Sequence, residues 1–155
     1  MRMDKLTSRF QAALADAQSL CVGRDHQFIE PAHVLLALLD SSGGGVGPLL
    51  MKAGADLNRL RAALGAALDR LPKVEGAPGE VHVSSDLNRL LNLTDKLAQQ
   101  RGDQFISSEL FVLAAFEDKG TLAKIFKDSR LHKAAIEKAI EELRGGEPVK
   151  EAGAE

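Results

Sequence analysis

The sequence predicts an all-α fold in which two tandem four-helix repeats pack with pseudo-twofold symmetry into a single compact domain. Two observations support this prediction: apolar residues recur at helical spacing along most of the chain, and the pattern of the first half returns in the second. The composition agrees with a globular domain, since 45% of the 155 residues are hydrophobic and 27% are charged. A chain of this length buries roughly two-thirds of its unfolded surface, so it needs no disulfide, and its single cysteine allows none.

The first repeat is predicted to cover about residues 1–72. Apolar residues three and four positions apart between 6 and 21 predict a first helix, for which Asp4 and Thr7 are alternative caps and Gly23 is the stop. Three further helices follow: one with Pro31 in its first turn and a break at 41–45, a short one near 48–53, and one that Asp56 caps and Pro72 ends.

The second repeat is predicted to cover about residues 85–146, after a linker at 73–84 with a short extended piece at 81–83. In its four helices, Ser85 or Asp86 is predicted to cap the first, Ser107 to cap the second and Thr121 to open the third, and the fourth carries Ala135 and ends at 145–146. The domain thus spans residues 1–146. The tail 147–155 has almost nothing to bury and is expected to be flexible.

The internal repeat is visible in the residues themselves. Gln27-Phe28-Ile29 returns as Gln104-Phe105-Ile106, and the offset of 77 (104 minus 27) also pairs Phe10 with Leu87 and Leu36 with Leu113. Each unit has only about 70 residues and would be marginally stable alone. The two units are therefore expected to share one core.

The segments 6–10, 27–31, 70–76 and 101–111 together resemble the Clp N-terminal repeat domain, which opens the AAA+ unfoldases of the Clp family. The resemblance covers residue 1 to about 146 and is closer to the disaggregase branch than to the protease-linked branches. It implies a non-catalytic domain that binds exposed hydrophobic segments of unfolded or aggregated polypeptides and delivers them to a hexamer pore. The whole protein would be an ATPase that works with a DnaK-type chaperone, and the tail would lead to its ATPase modules. The alternative is a domain that docks adaptor proteins for a protease-coupled unfoldase.

Several chemistries are not expected of these residues. The sequence has no G-x-x-x-x-G-K-(S/T) motif, and its glycine-rich stretch 43–47 is interpreted as a helix–helix loop, so we expect neither enzyme activity nor a cofactor. The spacing of Cys21, His26 and His33 does not suit zinc, and Cys21 falls on an apolar helix face as an inert thiol. The histidines are interpreted as scattered polar residues.

Nucleic acid and membranes are not expected partners. The net charge is −2, and Trp and Tyr are absent, so neither a basic excess nor these stacking side chains are available. The longest strictly apolar run, 110–116, is far shorter than the roughly 20 residues that span a bilayer. The N-terminus also lacks the apolar stretch of an export signal, so a cytoplasmic location is expected.

The candidate binding residues come from differences between the repeats. The offset pairs Leu93 with Asp16 and Leu110 with His33, and an apolar residue at a position that is polar in the other repeat is a candidate for exposure. We therefore predict a shallow apolar groove lined by Leu93, Leu97 and Leu110. The alternative is that these leucines contact the other repeat or the linker, and this alternative is favoured for Leu97.

Three polar residues are predicted to form a rim beside Leu110. They are Thr7, Asp103 and Glu109, which would orient a bound segment or contact a neighbouring domain. The alternative is helix capping, because Asp103 and Glu109 lie on either side of a predicted helix start, where acidic groups favour the positive end of the helix dipole.

Overall fold

The computed structural model describes residues 2–41, 45–74 and 80–155. The predicted loop 43–47 and linker 73–84 therefore lie partly outside the described residues. The described part contains eight α-helices and a two-stranded parallel sheet, which confirms the all-α prediction. The helices are α1 (Ser8–Gly23), α2 (Pro31–Asp40), α3 (Val46–Lys52), α4 (Leu57–Asp69), α5 (Ser85–Arg101), α6 (Ser108–Glu117), α7 (Thr121–Asp128) and α8 (Lys133–Arg144), the strands are β1 (Phe28–Ile29) and β2 (His82–Val83), and a short 3-10 helix covers Met3–Lys5.

Side-chain caps fix where α1 and α5 begin. The Thr7 hydroxyl accepts a hydrogen bond from the amide of Phe10 at 3.3 Å, as one of the two alternatives predicted. The cap of α5 is Ser84, whose hydroxyl accepts from the amide of Leu87 at 3.0 Å, so the predicted caps Ser85 and Asp86 are wrong. The internal repeat gives the reason, because Ser84 occupies the position equivalent to Thr7 (84 minus 77).

The pseudo-twofold symmetry is visible in the backbone pairing between the repeats. In the parallel sheet Ile29 pairs with Val83, and an isolated parallel bridge joins Leu6 to Ile106. With the offset of 77, Val83 is equivalent to Leu6 and Ile106 is equivalent to Ile29, so the two pairings are equivalent. In each, the segment before one repeat's first helix runs beside the other repeat's segment before its second helix. Both repeats therefore complete each other's backbone hydrogen bonds.

The second helix of each repeat lies at the centre of the core. Every residue from 110 to 115 in α6 is buried, and only Leu36 and Asp40 of α2 are not. The rings of Phe10 in α1 and Phe111 in α6 meet edge to face with centroids 5.7 Å apart, which joins the repeats through one contact. Buried side chains from both repeats form one continuous cluster, as the sequence predicts.

Among the described residues, no helix combines the length and the apolar character that crossing a membrane requires.

Candidate functional site

Polar residues from three parts of the second repeat meet beside the start of α6. We call Asp103, Ser107, Glu109 and Arg144 the Arg144 cluster. The guanidinium of Arg144, the last residue of α8, donates from Nε to Glu109 at 2.7 Å and from Nη2 to Ser107 at 3.0 Å, and its Nη1 lies 3.0 Å from an Asp103 carboxylate oxygen. The Asp103 carboxylate is completely buried. The cluster therefore ties the end of α8 to the start of α6.

Two of the three predicted rim residues thus form buried ion pairs. Burial raises the pKa of the Glu109 carboxyl above its ordinary value, and the positive charge of Arg144 opposes this shift. Arg144 is a functional candidate that the sequence analysis missed. It looks like any basic residue in the last turn of a surface helix, and only the fold places two acidic side chains against it.

The third rim residue, Thr7, contacts the C-terminal tail. Its buried hydroxyl donates to the Glu155 side chain while also capping α1. Ser108, the first residue of α6, donates to the same carboxylate through its hydroxyl and through its amide, the latter at 3.1 Å. We call these donors the Thr7–Ser108 site. The Glu155 carboxylate lies at the positive N-terminal end of α6, where negative charge is favoured.

The tail differs from the sequence prediction. It was expected to have almost nothing to bury, yet the Val149 side chain is buried. The Val149 carbonyl accepts from the amide of Gln104 at 2.7 Å, and its own amide donates to Asp103 at 3.0 Å. Farther along, the Ala152 carbonyl accepts from the amide of Ser8 at 2.8 Å. The segment thus folds back across the starts of α1 and α6, guided by backbone groups that composition does not reveal.

Of the three leucines predicted to line an apolar groove, two are buried and one is partly exposed. Leu110 is completely buried and Leu97 is buried, while Leu93 is partly buried against the core. The expected exposure of Leu110 is therefore wrong: α6 is apolar on all sides because it is surrounded by protein. A polar residue at the equivalent position of the other repeat does not indicate an exposed site here, since His33, the counterpart of Leu110, is also completely buried. The assignment of Leu93, Leu97 and Leu110 to substrate binding stays a prediction.

The histidines of the first repeat form a buried pair rather than scattered polar groups. His26 Nδ1 lies 2.8 Å from His33 Nε2, and His33 Nδ1 accepts from the amide of Glu30 at 2.9 Å. Burial lowers the pKa of both rings, that of His33 to about 4. With the offset of 77, His26 is equivalent to Asp103 and His33 to Leu110. The two histidines thus occupy positions at which the second repeat has no histidine.

Cys21 lies near this pair, and its thiol donates to the His26 carbonyl at 3.3 Å. Burial raises the pKa of the Cys21 thiol, which is the environment of an inert core cysteine. Across residues 2–41, 45–74 and 80–155, no three His, Cys, Asp or Glu side chains are grouped so as to hold a metal ion.

The fold and its paired repeats define the class to which this chain belongs. The sequence profile of the Clp repeat N-terminal domain matches residues 5–129. The chain belongs to this family.

The relatives add detail. The chain is 52% identical to the chaperone protein ClpB of Vibrio cholerae over all 155 residues, and it spans 18% of that protein's length. Its fold is similar to the Hsp104 N-terminal domain from Candida albicans, with a TM-score of 0.85, 21% identity, and coverage of 97% of this chain and 98% of that one. A structure described as a complex of the ClpV N-domain with a VipB peptide matches with a TM-score of 0.76 and 22% identity over 93% of this chain and 89% of that one.

Proposed function

We propose that this chain is the substrate-recognition domain of an ATP-dependent protein disaggregase. It binds exposed hydrophobic segments of unfolded or aggregated polypeptides and passes them to the pore of a hexamer formed by the whole protein. The observation that carries this proposal is the 52% identity to a ClpB chaperone along the entire chain. The whole protein is proposed to be cytoplasmic and to cooperate with a DnaK-type chaperone, as the resemblance to disaggregases implies.

Leu93 is the residue we propose for first contact with a client. It is the least buried of the three predicted leucines, so a bound segment reaches it without any change in the fold. Leu97 and Leu110 lie in the core, and they contribute only if the packing around them opens. Thr7, Asp103 and Glu109 are proposed to contribute at the neighbouring polar edge, with Asp103 and Glu109 acting through Arg144.

A permanently unfolded polypeptide, such as a reduced and carboxymethylated protein, tests this function. We expect chemical shift changes in the 155-residue chain to cluster around Leu93, and Leu93→Gln to weaken binding at least fivefold by removing apolar contact area. Val22→Gln is the matched control, because Val22 is an exposed apolar residue on α1, in the first repeat. Absence of any binding would contradict the function, whereas equal effects of the two variants would contradict only the assignment of Leu93.

Docking of a defined partner protein is the second candidate function. The similar ClpV N-domain, whose structure is described with a VipB peptide, favours this alternative. A folded partner would form a stoichiometric complex of standard interface size. Unfolded clients would instead compete with one another for the same surface, so competition between two unrelated unfolded polypeptides distinguishes the two functions.

A further inference from the structure

The C-terminal segment 147–155 is held at two points with little packing between them. Val149 is fixed by Asp103 and Gln104, and Glu155 is fixed by the Thr7–Ser108 site. Cavities of about 420 Å³ and about 310 Å³ adjoin the segment. The first is lined in part by Pro48, Leu143 and Val149, and the second by Ser8, Ala12 and Ala152. Val149 is the one buried residue of the segment and the others are exposed or partly exposed, so its detachment would break few apolar contacts beyond those of Val149.

The Thr7–Ser108 site has the chemistry of a carboxylate receptor. Two hydroxyls and one backbone amide converge on the Glu155 carboxylate, and both hydroxyl-bearing residues are completely buried. The amide belongs to the first turn of α6, a ten-residue helix whose dipole adds positive potential. Charge-assisted hydrogen bonds to a carboxylate are stronger than neutral ones. The Glu155 side chain shows that these donors bind a carboxylate.

The first repeat lacks this receptor, although its fold is the same. The offset pairs Ser108 with Pro31, which begins α2 at the same place but has neither an amide hydrogen nor a hydroxyl. Proline is well suited to the first turn of a helix. The helix can therefore begin without a residue that carries an amide hydrogen and a hydroxyl. We attribute the presence of Ser108 in the second repeat to ligand binding rather than to helix formation.

We propose that the Thr7–Ser108 site is a receptor for a carboxylate side chain in a peptide segment, and that residues 147–155 occupy it in cis. While they are bound, they exclude an acidic segment of another polypeptide, and their detachment opens the receptor. A tethered occupant has a high effective concentration, so it competes well even when its intrinsic affinity is low. The link to client capture rests on the function proposed above, whereas carboxylate binding rests on this geometry alone.

A labelled nonapeptide that reproduces residues 147–155 and ends in an amide tests the receptor. We expect its fluorescence anisotropy to report binding to the 155-residue chain carrying Glu155→Ala at least fivefold tighter than to the unaltered chain, because the cis competitor is lost. Glu151→Ala is the matched control, since Glu151 is exposed in the same segment and should leave binding unchanged. A peptide with Gln in place of its last Glu should bind at least fivefold more weakly.

The receptor's own donors give a second comparison. Added to the Glu155→Ala chain, Ser108→Pro removes the amide hydrogen and the hydroxyl while copying the residue that the first repeat uses, so peptide binding should fall at least tenfold. Ser85→Pro makes the same change at the start of α5, away from the tail, and should have no effect. Equal binding of the Glu and Gln peptides, absence of peptide binding, or equal effects of the two proline variants would each overturn the proposal. Each outcome is independent of whether unfolded clients bind near Leu93.

Discussion

The buried pair His26 and His33 makes the stability of the fold depend on pH in the acid range. Burial disfavours the charged form of both rings and lowers the pKa of each, and His26 lowers the pKa of His33 further. The pair fits only as neutral imidazoles, one donating to the other across 2.8 Å. In the unfolded chain both rings would titrate normally, so the difference in proton uptake makes stability depend on pH.

Stability should fall as the pH is lowered from about 6.5 to about 4. Over this range the unfolded chain binds a proton at residue 33, whereas the folded chain, with a His33 pKa of about 4, does not. The contribution of His33 to the free energy of unfolding should therefore decrease by about 2–3 kcal/mol, and this contribution should level off below pH 4, where His33 is protonated in both states. Urea unfolding followed by circular dichroism at several pH values measures this.

His33→Gln is the control for that measurement. Glutamine can accept from the Glu30 amide but does not titrate, so the variant should lose most of the slope between pH 6.5 and 4. Glu109 acts in the opposite direction, since its raised pKa favours the folded state as the pH falls, and it contributes equally to both proteins. An unchanged slope in His33→Gln would show that the histidine pair does not control acid stability.

At the same scale, the binding residues illustrate what sequence can and cannot predict. The offset correctly identified positions where the repeats differ, such as Leu110 against His33. It could not show that both positions are buried, because burial depends on how α6 and α2 pack. Similarly, Asp103 and Glu109 could be placed near a helix start, but their shared partner Arg144 lies 35 or more residues away in the chain.

Several helix ends, by contrast, could be predicted at the scale of elements, although the cap of α5 lies one residue before the first of the two predicted ones. Asp56 is a correctly predicted cap, because capping is local and its side chain accepts from the amides of Asn58 and Arg59 in the next turn. Pro31 likewise starts α2 as predicted. The path of the tail could not be predicted, since its hydrogen bonds to Ser8 and Gln104 use backbone groups that every residue carries.

The contact between α8 and α6 leads to a prediction about Arg144. Arg144→Met should lower the free energy of unfolding by about 3 kcal/mol, because it leaves the Asp103 and Glu109 carboxylates buried without their partner. Arg101→Met is the matched control: Arg101 pairs with the exposed Glu141, and its loss should cost less than about 1 kcal/mol. Chemical denaturation of both variants at pH 7 makes the comparison. Equal losses would mean that the buried pairs contribute no more than an exposed one.

For the whole molecule, the shared core predicts that both repeats unfold together. Phe111→Leu shortens a completely buried side chain that contacts Phe10 across the repeats, and it should cost about 1–3 kcal/mol. Native-state hydrogen exchange should show the same loss of protection for buried amides in α2 and in α6. Phe28→Leu, at an exposed site, should cost less than about 0.5 kcal/mol. A loss confined to the second repeat would show that the repeats are separate folding units.

The reciprocal backbone pairing between the two halves has a consequence for how such a molecule arises. The Leu6–Ile106 and Ile29–Val83 contacts are the same contact made twice around one axis, as in an isologous homodimer whose subunits exchange their leading strands. An ancestral polypeptide of half this length would have met its own copy through these surfaces. Joining two such copies in one chain makes that association intramolecular and independent of concentration, and each copy can then carry its own residue at an equivalent position, as Pro31 and Ser108 do.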